Sequence, residues 1–442
     1  MLHGLRRRAS RHRHLLTGSV ALVLTAGVQA ISGALFWLIA ARVDTQTDVG
    51  HATALFTSVL FVAFVAGLGQ PVAAARYAAG RTRDDHVLYA WGAMATAVAS
   101  AVVAGGYLLV VSPPAVDELR SWHGAFGPAI FVFLCMGTAL SLLLDVRLMT
   151  QRRWGLVLVR ASLVGLARFP MLLLPVDGDR AVWLLVVASL PAAVSGFVGT
   201  GLLPKVTGDR HHLGPMPAAT RAMVRYSLVN WASTLTYQAP TFAMPVIVLV
   251  YVDPDQNASF YVAWGVAALA CYVPTAIGQA LLAEGGRDGA HLRSQVRLAI
   301  LVAGGLMVVG AAAATVGRDI IVTLYGDEYR EAAEVLPRLV LAAVPWAITS
   351  VYLTEARVRH RSGATVLITA VLSIAILVPA LVLVPDEGIE GAATAFLAGN
   401  VLAAIVALAT HVQGRSTAAG PIAAASPDDF EPEDAITLSP LA

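Results

Sequence analysis

Long apolar segments separated by short polar connections dominate the chain. Each segment is close to or longer than the about 20 residues that an α-helix needs to cross a bilayer. Twelve such segments lie at roughly 15–40, 49–75, 87–111, 124–147, 155–175, 181–203, 226–252, 258–283, 296–316, 332–356, 363–384 and 389–411. Lipid offers no hydrogen bonds to the backbone, so runs of this length predict helices. The pattern predicts an all-α integral membrane protein with twelve transmembrane helices.

Composition strengthens this prediction. Of 442 residues, 57% are apolar and only 13% are charged, with a mean hydropathy of +0.71, whereas soluble domains carry about 25% charged residues. The first apolar segment is too long for a signal peptide, which favours a retained first helix. Cys135 and Cys271 both lie within apolar segments, so neither a disulfide framework nor a thiolate metal site is expected.

Basic residues indicate the orientation. If the N-terminus is cytoplasmic, 22 of the lysines and arginines between segments fall on the cytoplasmic side and 5 on the other. This asymmetry is the positive-inside pattern. We therefore expect both termini in the cytoplasm and a multi-pass protein of the bacterial cytoplasmic membrane.

An internal repeat divides the chain into two halves. A shift of 209 positions places Val43-Asp44 on Val252-Asp253 and Gln29-Ala30 on Gln238-Ala239, and it superimposes all six spans of each half. Because six is even, the repeats are parallel, with a cavity expected between two lobes. The predicted units are a basic N-terminus (1–14), an N-lobe of helices 1–6 (15–203), a linker (204–221), a C-lobe of helices 7–12 (222–411) and a disordered tail (412–442).

Four stretches resemble the polysaccharide transporter family, the O-antigen flippase-like branch of the multidrug/oligosaccharidyl-lipid/polysaccharide (MOP) exporter superfamily. "AARVDTQTDVGHATAL" carries Arg42 and Gly50, "GLGQPVAAARY" carries Arg76, and "LYGDEYREAAEVLPRLVLAAVPWAI" carries Gly326. "GIEGAATAFLAGNVL" resembles the opening of the last helix. These four stretches are spread over most of the chain.

The resemblance implies a MATE/MOP-like two-lobed fold that flips lipid-linked sugars by alternating access, without enzymatic chemistry. The implied substrate is an undecaprenyl-diphosphate-linked oligosaccharide for cell-surface polysaccharide or lipopolysaccharide biosynthesis. Expected partners are this polyprenyl-diphosphate-linked sugar, membrane lipids and polysaccharide polymerase or assembly proteins, and no nucleic acid is expected. No cofactor or metal is expected, and a coupling ion, H⁺ or Na⁺, is left open.

Charged residues inside spans are costly in a bilayer and favour a functional interpretation. Arg168 lies deep in the fifth predicted helix, where its planar donors suit phosphate oxygens or a carboxylate. The alternative is a structural ion pair. Arg160 and Asp145 lie at similar depths of adjacent helices, so a salt bridge between them competes with a substrate or proton role.

Polar residues of helices one and seven extend the predicted substrate path. Gln29 and Gln238 are repeat-equivalent, and Asn230 and Tyr237 add polar edges to helix seven. Interhelical hydrogen bonding, worth about 0.6 kcal/mol, is the alternative for these groups.

Several charged residues lie near the predicted membrane surfaces. Arg42 and Arg76 lie near helix ends, where snorkelling toward lipid headgroups competes with a specific role. The outer-turn residues Asp44 and Asp253 are expected to face water. Glu355, near a cytoplasmic end, is expected to be solvated.

Other functions remain open at this point. A multidrug or cation antiporter of the same superfamily would favour carboxylates in the cavity, and a non-transporting envelope-assembly scaffold would need no cavity chemistry. A membrane enzyme would need convergent acid and base groups on a sizeable loop. The outer loops are about a dozen residues or fewer, which disfavours an enzyme.

Overall fold

The computed structural model describes residues 24–67, 83–111, 114–151, 153–174, 179–207, 220–285, 292–359 and 361–417. Arg76, the predicted N-terminus and most of the predicted linker and tail lie outside these residues. The described part of the chain is helical and contains no β-strand.

Seven helices make up the described first half. They are α1 (Leu24–Val43), α2 (Gln46–Ala66), α3 (Arg83–Val110), α4 (Pro114–Ser121), α5 (Phe126–Thr150), α6 (Trp154–Leu172) and α7 (Arg180–Thr207). Six of them are apolar and long enough to span a membrane, and the short α4 is the exception.

The described second half begins with α8 (Thr220–Tyr251), α9 (Pro254–Gly285) and α10 (Leu292–Val316). It continues with the short α11 (Asp319–Tyr325), a 3₁₀ turn (Asp327–Tyr329), α12 (Arg330–Leu341), α13 (Ala343–Val358) and α14 (Ser362–Thr417). Ten helical segments of the described chain could cross a bilayer, and Leu235–Tyr251 adds a shorter apolar one. The protein is therefore a multi-pass membrane protein.

The helices differ from the predicted spans at two places. The predicted span 332–356 is broken at Ala342, between α12 and α13. The predicted spans at 363–384 and 389–411 are joined in α14, whose helical geometry fails at Gly388 (φ 60°, ψ −136°). That combination is one that only glycine adopts without strain.

Close contacts show that α14 folds back at this point. Gly391 packs against the backbone of Leu383, and Gly399 packs against that of Ala375. The two residues of each pair lie at equal distances in the sequence from the same position, as they do in two antiparallel helices joined by a turn there. Gly388 is therefore the turn of a helical hairpin rather than a kink in one rod.

Packing joins the helices mainly within each half. In the first half α5 packs extensively on α7, and in the second half α13 packs on α14 and α9. Between the halves, α2 packs along α9 and also contacts α8. The largest apolar cluster crosses this boundary, since it contains the fully buried Phe36 and Leu184 together with Met244 and Phe260. The two halves therefore share this apolar cluster.

We predict that Gly388→Ala lowers thermal stability in detergent, because a side chain at φ 60°, ψ −136° costs about 1–3 kcal/mol. Gly305→Ala is the matched control, because an added Cβ at Gly305 meets nothing within 4 Å. The midpoint of thermal unfolding should fall for Gly388→Ala alone. Equal midpoints for the two variants would contradict the assigned turn.

Candidate functional site

Arg168 occupies the last turn of α6, at the boundary between the two halves. It lies 14 residues beyond Trp154, or about 21 Å along the helix at 1.5 Å per residue. Its guanidinium carbon is 6.0 Å from the centre of the Phe36 ring of α1. Tyr261 of α9 also lies close to it. The side chain thus faces groups from both halves of the molecule.

No carboxylate of the described residues forms an ion pair with Arg168. Its Nε is buried without a hydrogen-bond partner among them. A buried donor left unsatisfied costs free energy, so such groups are unusual in folded proteins. A planar guanidinium with free donors can bind phosphate or carboxylate oxygens in a bidentate manner. Arg168 therefore has the properties of an anion-binding group.

Three aromatic rings from both halves lie at the same level as Arg168, and we call them the aromatic cluster. Trp37 of α1 is 5.7 Å from Phe56 of α2 and 5.3 Å from Tyr261 of α9, both edge-to-face. Phe56 and Tyr261 are 6.4 Å apart. Such edge-to-face pairs are each worth about 0.5–1.5 kcal/mol beyond burial. The aromatic cluster holds the two halves together beside the arginine.

A set of hydrogen bonds joins the halves at the end of the bundle that carries the α1–α2 and α8–α9 turns. We call this the outer end, following the predicted orientation. Gln46 Nε2 donates to the carbonyl oxygen of Asp255 at 3.0 Å, and Thr47 Oγ1 donates to Asp255 Oδ1 at 2.8 Å. Asn257 Nδ2 donates to the carbonyl oxygen of Gly50 at 2.9 Å. We call these residues the outer latch.

One hydrogen bond of the outer latch joins residues that the sequence repeat makes equivalent, and the other two are displaced from equivalence by one and two positions. The three hydrogen bonds join positions 209, 208 and 207 apart, close to the repeat offset of 209. Residues contact their own equivalents where a twofold axis passes through an interface. The starts of α2 and α9 therefore cross near a local pseudo-twofold axis.

Gly50 permits this crossing. An added Cβ would overlap the carbonyl group of Pro254, the first residue of α9. Glycine at such crossings lets two helix backbones approach closely. The Gly50 of the family-like motif is therefore a contact position between the halves.

Arg42 also binds across the boundary. Its Nε donates to the carbonyl oxygen of Leu324 at 2.6 Å, and its Nη2 donates to that of Thr323. These carbonyls belong to the last turn of α11, where helix acceptors lack partners and a cation is favourable. Arg42 thus has protein partners in place of the headgroup contact considered from the sequence. Gly326 (φ 121°) forms the turn that follows α11.

Arg160 and Asp145 form the salt bridge that the sequence left open. Arg160 Nε donates to Asp145 Oδ1 at 2.9 Å, and Arg160 also donates to Ser141 and Ser195. Both charged side chains are less than a fifth exposed. The pair ties α5, α6 and α7 together at the end opposite the outer latch.

The remaining candidates are dispersed. Gln29 is exposed on α1, and Gln238 is half-buried on α8. Tyr237 lies within the second half, with its ring 5.8 Å from Trp346. Asn230 belongs to α8, but its side chain lies outside the described ones. Among the described side chains, no contact joins Gln29, Gln238 or Tyr237 to Arg168, and their place in the substrate path stays a prediction.

Two expectations about surface charges are wrong. Asp44 does not face water, since its side chain is 5% exposed and pairs with Arg180 at the start of α7. Glu355 is not solvated, since it is 4% exposed and pairs with Arg359 and His411. His411 is 56 residues from Glu355, so no local sequence signal could reveal that pair. The pairing of Asp44 with Arg180 spans 136 residues and is equally non-local.

At the outer surface, His51 Nδ1 of α2 lies 2.7 Å from Glu118 Oε2 of α4. Burial raises the pKa of the Glu118 carboxyl, and His51 beside it opposes that shift. This contact fixes α4 on the first half next to the outer latch.

Comparison with known proteins gives the fold. No protein-family model matches the chain, and no curated protein sequence matches it. An inward-facing MATE-family multidrug resistance transporter of the MOP superfamily matches with a TM-score of 0.66 at 14% identity, over 91% of this chain and 100% of that one. The lipid II flippase MurJ, in an inward closed conformation, matches with 0.69 at 12% identity, over 90% and 87%.

The chain has the fold of the MOP-superfamily transporters. A MATE structure in the straight conformation also matches, with a TM-score of 0.60 at 15% identity over 91% of this chain and 96% of that one. An outward-facing MATE-family transporter gives 0.57, below the inward-facing one. In this fold the outer latch joins the two halves at one end of the bundle.

We predict that Gly50→Ala loosens the outer end, because the new Cβ would overlap the carbonyl group of Pro254. Spin labels at the exposed Val43 and Tyr251 should report longer distances across that end. Gly265→Ala on α9 is the control, since its Cβ meets nothing within 4 Å. An unchanged distance in Gly50→Ala would exclude Gly50 as a crossing point.

We predict that Asp145→Asn destabilises the protein by about 3–5 kcal/mol, because it leaves Arg160 buried without its counter-charge. The double variant Asp145→Asn/Arg160→Gln should recover much of this loss. Denaturation in detergent measures both. Additive losses in the double variant would show that the pair is not coupled.

Proposed function

We propose that this protein is a flippase that moves a lipid-linked oligosaccharide, with undecaprenyl diphosphate as the carrier, across the bacterial cytoplasmic membrane for cell-surface polysaccharide biosynthesis. Arg168, lying between the halves without a carboxylate partner among the described residues, is the observation that carries this proposal. The named activity of one structural neighbour, lipid II flipping, involves cargo of the same general kind.

The chemistry of the cargo explains why such a group would be needed. A diphosphate cannot enter hydrocarbon unless its charge is compensated, since isolated ions are very costly in a low dielectric. The guanidinium of Arg168, whose Nε has no hydrogen-bond partner among the described residues, would donate to phosphate oxygens, and the half-buried Phe56 and Tyr261 would offer apolar ring surface beside it. Together these groups would shelter an anionic headgroup while its lipid tail stays in the bilayer.

A cation antiporter, as the MATE neighbours suggest, fits the described charges less well. A cationic cargo requires a carboxylate that is free to pair with it. Asp145 is held by Arg160, and Glu355 is held by Arg359 and His411. At the level of the aromatic cluster, the charged group without an ion pair among the described residues is Arg168, a cation, which favours an anionic cargo.

The proposed topology has twelve spans with both termini in the cytoplasm. The α14 hairpin at Gly388 supplies the last two spans, and α8 supplies the seventh. The lobes then extend over 15–203 and 222–411, and the outer latch closes the cavity from outside. Opening of that latch, coupled to closure of the inner end, constitutes the alternating-access step. A polysaccharide polymerase or assembly protein would receive the product.

We predict that Arg168→Gln abolishes flipping of undecaprenyl-diphosphate sugars in proteoliposomes, while Arg168→Lys retains part of it. In detergent, the affinity for farnesyl diphosphate should fall about 10- to 100-fold in Arg168→Gln, since hydrogen bonds to charged groups contribute about 1.5–3 kcal/mol. Lysine keeps the charge but loses the bidentate geometry.

Arg338→Gln is the control for this experiment. Arg338 is about half exposed and pairs with Glu390 at the surface, so its loss should leave the affinity unchanged. Full flipping by Arg168→Gln would remove Arg168 from the mechanism. Expulsion of a cationic drug without any movement of polyprenyl diphosphates would replace the proposal by the antiporter.

A further inference from the structure

A second buried charge cluster lies at the inner end, opposite the outer latch, and the proposed flipping site does not use it. Glu355 of α13 accepts a hydrogen bond from Arg359 Nε at 2.9 Å through Oε1. Its Oε2 lies 2.5 Å from Nδ1 of His411, near the end of α14. The histidine side chain is 10% exposed and that of Glu355 is 5% exposed. This contact ties the inner ends of α13 and α14 together.

The geometry suits a histidine that gains and loses a proton. A neutral His411 can donate its Nδ1 proton to Glu355, which leaves the lone pair of Nε2 available. Protonation there produces an imidazolium beside a carboxylate. The ring of Tyr352 stacks on His411 at 4.4 Å, and an aromatic face also favours a cation. Proton uptake therefore converts a hydrogen bond from a neutral ring to a carboxylate into an ion pair without moving a heavy atom of the ring.

The first half contains a different buried ion pair near its inner end. There Asp145 is held by Arg160, and arginine does not release its proton in proteins. Histidine in general changes its charge between about pH 5 and pH 8. A tie made by arginine thus keeps its charge, whereas a tie made by histidine can respond to pH.

Few other described charges face this pair. On α13, Arg359 binds Glu355, and the exposed Arg357 lies over the Tyr237 ring of α8. Arg361, just before α14, donates to the carbonyl oxygen of Thr410. On α10, which packs on α13, Arg297 is exposed. The side chains of 221–230 on α8 lie outside the described ones.

We propose that His411 and Glu355 form a proton-binding site whose occupancy sets how tightly the inner ends of α13 and α14 are held. The ligand is a proton from the inner side. Its uptake strengthens the tie, and its release loosens the inner end of the second half. The proposal rests on the proposed function only in requiring that the inner ends move.

The test measures that movement without any substrate. Spin labels replace Leu202 at the inner end of α7 and Val412 at the end of α14, both of which are exposed, in a protein whose Cys135 and Cys271 are alanine. Distances are recorded from about pH 5 to about pH 8, the range over which imidazoles titrate. The distribution should be narrow in acid and broader, with longer distances, in base.

His411→Gln keeps a hydrogen-bond donor for Glu355 but cannot take up a proton in this range, so its distribution should not change with pH. His51→Gln is the matched control, because His51 belongs to the histidine–carboxylate pair at the outer end. It should retain the full response. Glu355→Gln keeps an acceptor but removes the charge, and it should lose most of the response, which provides a test if His411→Gln does not fold.

A response that persists in His411→Gln, or that is lost equally in His51→Gln, would overturn the proton site. Arg168→Gln should keep the pH response even though it loses diphosphate binding. Failure of the flippase proposal is therefore distinguishable from failure of this one.

Discussion

Arg168 places a guanidinium inside a membrane protein, and no carboxylate of the described residues pairs with it. The arrangement of the two halves depends on this constraint. Lipid could not accept Arg168, so the side chain must face protein or a polar space. Phe36 from one half and Tyr261 from the other lie next to it. The two halves therefore meet around this residue. The anion-binding role proposed for Arg168 rests on its lack of a carboxylate partner among the described residues.

The contact between the halves is nearly symmetric, whereas their charges are not. The outer latch joins residues that are at or within two positions of repeat equivalence, and Gly50 brings the two helix starts together at Pro254. Away from this crossing the halves differ, since Arg160 is replaced in the second half by Thr369 at the equivalent position. The two halves thus share a nearly symmetric contact while the charged residues within each half differ.

The inner ends show this divergence most clearly. Asp145 binds an arginine, and Glu355 binds a histidine as well as an arginine. Buried ion pairs contribute little net stability compared with apolar packing, so their retention favours a role in specificity or switching. A permanent tie in one half and a titratable tie in the other would let one half act as a fixed frame while the other moves.

The sequence alone determined the membrane class and most helix positions, because apolar length is a local property, and it singled out Arg168 as a charge inside a span. Hydropathy also predicted the two segments of α14, although only the backbone at Gly388 shows how they join. The partners of Asp44, Arg42 and Glu355 required the tertiary structure. Those partners lie 136, 282 and 56 residues away, and which side chains meet over such distances depends on how the helices pack.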